Sequence, residues 1–219
     1  MTTFKQYVTE MKTKQNDIYY LAGQSREHAQ SNPNLEYFKK HDIEVLFLID
    51  PIDVFIIPSV PEYDKKAIKA IDKGDINLDF DEKSDKKDED QKEDTLSNSL
   101  VSVFKETLKD NVQDVKISKR LVNSAVTLVS SQEAPDPQME RMMKMMGQNV
   151  PDSKRIMEIN IDHPLIKNLS RKHLENAKDG LLEKCITQLY ESAQFIDGEL
   201  SSRTAYVDRM IDIMQEATK

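Results

Sequence analysis

The chain has 219 residues, of which 38% are hydrophobic and 32% charged, and its formal net charge at pH 7 is -8. One large or two small domains fit this length, and the acidity argues against binding to nucleic acid phosphates or anionic lipid. The longest apolar runs, such as Val45 to Ile49, fall far short of the roughly 20 residues that span a bilayer. We therefore expect a cytoplasmic protein whose partners are proteins, not nucleic acids or membranes.

Residues 1–80 alternate helical and strand patterns, which predicts a small α/β subdomain. Thr3 and Gln6 have the spacing of a capping box at the start of a helix. The segments "DIYYLAG" and "IEVLFLI" are typical of strands, and "KAIKAI" is a candidate third strand. The Asn-Pro and Asp-Pro pairs at 32–33 and 50–51 predict two further helix starts, the second opening the short helix "PIDVFII".

The segment "DFDEKSDKKDEDQKEDT" at 79–95 consists almost entirely of mixed charges and marks a domain boundary. Residues 81–95 fit either a solvated helix with i to i+4 ion pairs or a linker, and the pattern does not decide between them. A metal site is disfavoured, because the lysines neutralise the carboxylates and no glycine turn folds them around an ion.

The pattern of residues 96–219 predicts a second domain. Leu100, Val103, Phe104 and Leu108 form one apolar stripe of a helix over about 96–111. The short segments "DVKIS", "AVTLV" and "RIMEIN" predict a small, mostly antiparallel three-stranded sheet. The fold class predicted for the chain is therefore α+β.

The second domain ends in two helices with wide apolar arcs. Such a terminal hairpin fits a two-fold dimer in which two copies form a four-helix bundle. It also fits two helices that complete the core of their own domain. The arcs contain Leu174, Ala177, Leu181, Leu182, Cys185, Ile186, Leu189 and Ala193, followed by Tyr206, Val207, Met210, Ile211, Ile213 and Met214.

The segment "QMERMMKMMGQ" holds five of the chain's ten methionines. Asp136 and Pro137 predict the start of a short helix and Gly147 predicts its end. At 100° per residue one arc carries Met139, Met142, Met143 and Met146, with Met145 beside it and Glu140, Arg141 and Lys144 opposite. Flexible methionines favour a surface that adapts to many partners, although a core position remains the alternative.

The sequence contains no recognisable catalytic constellation. Its five glycines form no phosphate-binding loop, and Cys185, the only cysteine, suits packing. Asp50 and Asp53 are explained by helix capping. We therefore expect neither an enzyme nor a metal site. The histidines, interpreted as surface or capping residues, are His28, His41, His163 and His173.

Five stretches, in this order, resemble the heat-shock protein 90 chaperone family. They are "YVTEMKTKQNDIYYLAGQS", "SNPNLEYFKKHDIEVLFLIDPIDVF", "DVKISKRLVNSAVTLVSS", "MGQNVPDSKRIMEINIDHPLI" and "AYVDRMIDIM". The resemblance implies the end of the family's middle region over 1–80 and its C-terminal dimerisation and client-binding domain over 96–219. It implies that ATP and Mg²⁺ bind a part of the parent protein that this chain does not match, so we expect no cofactor in this chain. The chain shows no acidic Met-Glu-Glu-Val-Asp tail, and in this respect it resembles the bacterial form of the family.

The resemblance also implies a function, a chaperone that forms a homodimer and binds non-native client proteins, and it implies site residues. The competing hypothesis is a purely structural dimerisation module with the methionines in its core. Phe55 stands where bacterial relatives often have tryptophan, and Ser201 and Ser202 replace an Asp-Pro pair. The implied client-binding residues are Phe55, Met139, Met142, Met143, Met145 and Met146. The implied dimer seam is Leu181, Leu182, Cys185, Ile186, Leu189, Tyr206, Met210, Ile213 and Met214.

Overall fold

A computed structural model describes residues 2–13, 15–74, 76, 78, 90–150, 153–176 and 179–219. The chain forms two compact units, the first from Met1–Lys83 with Val129–Lys154 and the second from Ser84–Leu128 with Arg155–Lys219. Residues 129–154, which the sequence assigns to the C-terminal domain, thus pack with the first unit. Each unit combines helices with a small sheet, and the α+β class is confirmed.

Helices and strands alternate along the described part of the chain. In chain order they are α1 (Phe4–Glu10), β1 (Ile18–Ala22), α2 (Arg26–Ser31), α3 (Glu36–Lys40), β2 (Leu46–Leu48), α4 (Asp53–Ile56), β3 (Glu62–Tyr63), β4 (Lys66–Ala70), α5 (Asp90–Leu108), β5 (Val112–Ile117), β6 (Val126–Val129), α6 (Pro137–Met145), β7 (Arg155–Ile159), α7 (Pro164–Glu175), α8 (Gly180–Asp197) and α9 (Arg203–Ala217). Short 3-10 turns at Pro33–Leu35, Ile57–Ser59 and Lys109–Asn111 join some of them.

The first unit is built on a four-stranded sheet with the order β2-β1-β4-β3. Strand β1 runs parallel to β2 and β4, with Tyr20 opposite Leu46 and Ala70, and β3 is antiparallel to β4. Both predicted strands and the candidate third strand are present. The predicted capping box is confirmed at α1, where Thr3 and Gln6 bond reciprocally. The α2 helix, capped by Ser25, is an addition to the predicted elements.

The second unit contains a three-stranded sheet with the order β5-β7-β6. Strands β5 and β7 are parallel, with Val115 opposite Met157, so the prediction of a mostly antiparallel sheet is wrong for this pair. The chain between them is long enough to return β7 in the same direction, as parallel pairing requires. Buried side chains of α5, including Leu100 and Phe104, pack in the core with this sheet.

The charged segment is described only from residue 90 onward, where the backbone is already helical because α5 begins at Asp90. The predicted helix start at 96 is therefore six residues too late. Residues 79–89 lie outside the described residues, so the choice between helix and linker stays open there.

The terminal helices differ from the predicted pair in one respect, because Leu174 belongs to the separate helix α7. Asp179 begins α8 by accepting a hydrogen bond from the Leu181 N–H at 2.8 Å, and this cap breaks the apolar pattern into two helices. Ser202, a residue type that suits an N-cap, caps α9 by accepting a hydrogen bond from the Ala205 N–H. Ala177, which the sequence placed on the same arc, lies outside the described residues.

Candidate functional site

Helix α6 has the two ends that its sequence predicts. The Asp136 carboxylate accepts a hydrogen bond from the Gln138 N–H at 2.7 Å, and Pro137 occupies the first turn. At the other end Gly147 has φ +77, and its N–H donates to the Lys144 carbonyl at 3.0 Å. A glycine adopts this left-handed conformation without a steric penalty, so the helix stops there.

The methionines of α6 are not equally exposed. Met145 is 85% exposed and Met146 is 59% exposed, whereas Met139, Met142 and Met143 are half-buried. Glu140, which the helical pattern places on the outer side, is buried instead. The helix is therefore rotated relative to the simple amphipathic prediction, and its free apolar surface lies towards its C-terminal end.

Helix α4 packs against α6 in the first unit. The Asp50 carboxylate accepts a hydrogen bond from the Ile52 N–H, and the Asp53 carboxylate accepts one from the Asp50 N–H. The helix begins at Asp53, two residues later than the Asp-Pro pair predicts, and its N-cap residue Ile52 makes no side-chain cap bond. Phe55 is half-buried on this helix, and Ile52 and Ile56 at its ends are exposed. The fold therefore places Phe55 on a helix that contacts the methionine helix.

We use the name α4–α6 surface for the exposed and half-buried apolar side chains of these two helices and their end residues. Ile52 and Ile56 are additions to the predicted binding set, although their position in the run "PIDVFII" is a usable signal. The α4–α6 surface comprises Ile52, Phe55, Ile56, Met139, Met142, Met143, Met145 and Met146.

The second apolar region lies on the α8–α9 hairpin. Lys184 of α8 pairs with Glu216 at 2.8 Å and with Asp212 at 3.3 Å, both on α9, and Arg209 of α9 pairs with Glu191 of α8. These ion pairs span the two helices on the side where they meet. The remaining side of α9 is left free.

The predicted seam residues on α8 divide into two groups. Leu182 and Ile186 are fully buried in the core of the second unit, so in this structure they offer no surface to a partner. Leu181, Cys185 and Leu189 are half-buried, and burial raises the pKa of the Cys185 thiol. A protonated thiol packed against the core matches the interpretation of this cysteine as a packing residue.

Helix α9 has no buried residue. Of its predicted seam residues, Met210 and Met214 are exposed, and Tyr206 and Ile213 are half-buried. The Tyr206 ring stacks on the exposed Phe195 ring with centroids 6.0 Å apart.

Val207 and Ile211 lie outside the predicted seam, although their spacing from Met210 and Met214 puts all four side chains on one stripe. We call the exposed set the hairpin surface; it comprises Phe195, Ile196, Val207, Met210, Ile211 and Met214.

Two observations bear on other classes of site. Among the described residues, no group of three or more His, Cys, Asp or Glu side chains is placed to hold a metal ion. Within the same part of the chain, no helix is long and apolar enough to cross a membrane.

The described residues thus carry two groups of exposed apolar side chains, the α4–α6 surface and the hairpin surface. The family model described as "Hsp90 protein" matches residues 1–219, and the chain belongs to this family.

Its relatives include bacterial proteins named "Chaperone protein HtpG". The relative from Chlorobium phaeobacteroides is 46% identical over 216 residues, which cover 99% of this chain and 34% of the relative. The relative from Geobacter metallireducens is 36% identical over 211 residues, covering 96% of this chain and 32% of that protein. The relative from Mycobacterium leprae is 37% identical over 198 residues, covering 90% of this chain and 30% of that protein. The chain thus spans about a third of the length of these curated relatives.

Proposed function

We propose that this chain is the dimerising and client-binding part of a molecular chaperone, and that it binds unfolded or partly folded proteins at the α4–α6 surface. Family membership and the chaperone name of its relatives support this function. The observation that carries the proposal is the exposure of Met145 and Met146 on a helix that packs against α4, whose ends expose Ile52 and Ile56.

Exposed apolar side chains explain why such a surface binds non-native proteins. Each large apolar side chain left in water forgoes about 1.5–3 kcal/mol of burial, which a partner with exposed apolar groups supplies. Methionine has three rotatable side-chain bonds and a polarisable sulfur, so Met145 and Met146 adjust to clients of different shape. The half-buried Phe55, Met139, Met142 and Met143 form the part of the surface closer to the core.

We further propose that the hairpin surface binds the same surface of a second copy. A two-fold arrangement of α8 and α9 with their copies gives a four-helix bundle and covers Val207, Met210, Ile211 and Met214 on both chains. The half-buried seam residues contribute their remaining exposed area to this interface. They are Leu181, Cys185, Leu189, Tyr206 and Ile213. In this proposal, other parts of the parent protein hydrolyse ATP.

The alternative is a purely structural dimerisation module. The half-burial of Met139, Met142 and Met143 and the burial of Glu140 favour it, since these side chains of α6 are already partly covered within the chain. The two hypotheses agree on the dimer and differ on whether the α4–α6 surface binds clients.

The double variant Met145→Ser with Met146→Ser separates them. Because both side chains are exposed, the fold and the dimer should remain, whereas the affinity for a chemically unfolded client should fall by about tenfold. Light scattering of the aggregating client, with the chaperone chain titrated in, measures this loss. The matched control, Met145→Leu with Met146→Leu, keeps the apolar character and should retain most of the suppression. Unchanged suppression by the folded serine variant would reject client binding at this surface.

A further inference from the structure

The turn that joins α8 to α9 is shaped by hydrogen bonds of its own backbone. Gly198 has φ +75, and its N–H donates to the Phe195 carbonyl at 3.1 Å. The Glu199 N–H donates to the Gln194 carbonyl at 2.8 Å. These two bonds form a Schellman motif, which ends a helix at a left-handed glycine. They fix the local shape of the turn, but they do not join it to the rest of the second unit.

The core of the second unit anchors α8 only as far as Ala193. The buried side chains of this helix are Leu182, Ile186 and Ala193. Residues 194–202, which follow, are half-buried or exposed, and α9 has no buried residue. The direction in which α9 leaves α8 therefore depends on contacts at the helix surface and at the turn.

Arg155 connects this turn to the sheet of the second unit. It is the first residue of β7, the middle strand in the order β5-β7-β6, and its side chain is 9% exposed. Its Nη2 atom donates to Oε1 of Glu199 at 2.9 Å and lies 4.0 Å from Oδ2 of Asp197. The two carboxylates stand on either side of Gly198 in the chain. A planar guanidinium suits this arrangement, because its fixed donors can serve two carboxylates at once.

The other ion pairs of the hairpin join its two helices to each other. Lys184 of α8 pairs with Glu216 of α9, and Arg209 of α9 pairs with Glu191 of α8. The Lys184 side chain is 36% exposed, and an ion pair open to water contributes little to stability. Arg155 differs from these residues because its charge is largely shielded from water and because it belongs to the sheet.

We propose that Arg155 is a positioning residue of the hairpin: by holding Asp197 and Glu199 it sets the angle at which α9 leaves α8, and so keeps the hairpin surface in one shape for a second copy of the chain. Phe195 and Ile196 of that surface lie just before the turn, so a displaced turn moves them together with α9. A two-fold interface uses the same surface of both chains, so the loss occurs twice. The consequence for dimerisation rests on the proposed function of the hairpin surface.

Residual dipolar couplings of the backbone amides measure the angle between α8 and α9 in the 219-residue chain. Ile211→Glu provides a background in which a second copy should not cover the hairpin surface. In this background Arg155→Met, which keeps an unbranched side chain without the charge, should reduce the couplings of α9 relative to those of α8, because α9 then samples several angles. Arg155→Lys keeps a cation and should restore most of the lost coupling.

Sedimentation of the Arg155 variants without Ile211→Glu measures the effect on the dimer. Arg155→Met should raise the dissociation constant about tenfold, and Arg155→Lys should raise it about threefold. Glu199→Gln leaves the buried arginine in place, so it tests the contact even if Arg155→Met fails to fold, and it should raise the dissociation constant about threefold. Its addition to Arg155→Met should cause no further loss, because the two residues act through one contact.

Glu158→Gln is the matched control, because Glu158 also lies on β7 and pairs with the buried Arg120 at 3.0 Å. It should lower the stability of the second unit but leave the couplings of α9 and the dissociation constant unchanged. Unchanged couplings of α9 in Arg155→Met, or an equal reduction in Glu158→Gln, would overturn the proposal. Reduced couplings in Arg155→Met with an unchanged dissociation constant would uphold the role of Arg155 in the hairpin and would reject the dimer at the hairpin surface.

Discussion

The α4–α6 surface and the hairpin surface are both apolar, but they are built differently. The first is centred on a nine-residue helix whose most exposed side chains are the unbranched Met145 and Met146. The second lies on helices of 18 and 15 residues, and its stripe includes the β-branched Val207 and Ile211. Branched side chains have few rotamers and present a fixed shape, whereas methionine adapts. Methionine makes up five of the eight residues of the α4–α6 surface and two of the six residues of the hairpin surface. This difference supports the proposal of variable clients at the first surface and a second copy of the chain at the other.

The two surfaces also differ in what holds them in place. Leu182 and Ile186 anchor α8 in the core of the second unit, and ion pairs fix α9 to α8. Helix α6 begins at the N-cap residue Asp136 and ends before Gly147, which has a left-handed conformation. We therefore expect the hairpin to be rigid and α6 to respond more readily to local changes.

The largest effect should come from the core of α8. Leu182→Ala removes a fully buried side chain, and we expect the free energy of unfolding to fall by about 2–5 kcal/mol in urea denaturation. The control Met145→Ala truncates an exposed side chain and should change it by no more than about 0.5 kcal/mol. Loss of dimerisation by Leu182→Ala with unchanged stability of the monomer would instead place Leu182 in the seam.

A substitution on the hairpin surface should have a smaller effect, which weakens the dimer without destabilising the fold. Ile211→Glu puts two charges into the two-fold interface, and losing about 1.5 kcal/mol on each chain weakens the dimer about 100-fold without unfolding the monomer. Sedimentation over a range of concentrations measures the dissociation constant. Ala205→Glu, on the side of α9 away from the stripe, is the charge-matched control. An unchanged dimer in the Ile211 variant would show that α9 is not the interface.

The smallest effect should appear at the end of α6. Gly147→Ala meets no neighbouring atom, but a Cβ atom at φ +77 costs about 1–2 kcal/mol. The bond from the Gln148 N–H to the Met143 carbonyl should then open more often, which amide exchange detects. Gly180→Ala has equal space without a positive φ and should be neutral or slightly stabilising. Equal exchange in both alanine variants would show that this glycine does not control the helix end.

Local signals predicted much of this fold. Thr3 with Gln6, Asp136 with Pro137, and Ser202 each act within one helical turn, so the sequence nearby contains the whole capping interaction. The parallel direction of β5 and β7 was not predictable in this way, since it depends on how the intervening chain returns. The α7–α8 break was signalled by Asp179 before Gly180, but the continuous apolar pattern concealed it.

The candidate surfaces were predictable only in part. Helical periodicity identifies the apolar side of α8 but not which residues the chain's own core covers, so Leu182 and Ile186 were grouped with the seam. The same limit applies to α6, where packing in the first unit buries Glu140 and leaves Met145 outside. The resemblance supplied Phe55, because a single aromatic residue in a short helix has no pattern of its own.

Methionine-methyl NMR of the chain with an unfolded client tests the division of roles between the two surfaces most directly. The methyl signals of Met145 and Met146 should shift and broaden with the client, while those of Met210 and Met214 should stay unchanged because the partner copy covers them. The same two α9 signals should shift when Ile211→Glu separates the dimer. Client-induced shifts confined to Met210 and Met214, with Met145 and Met146 unaffected, would contradict the account.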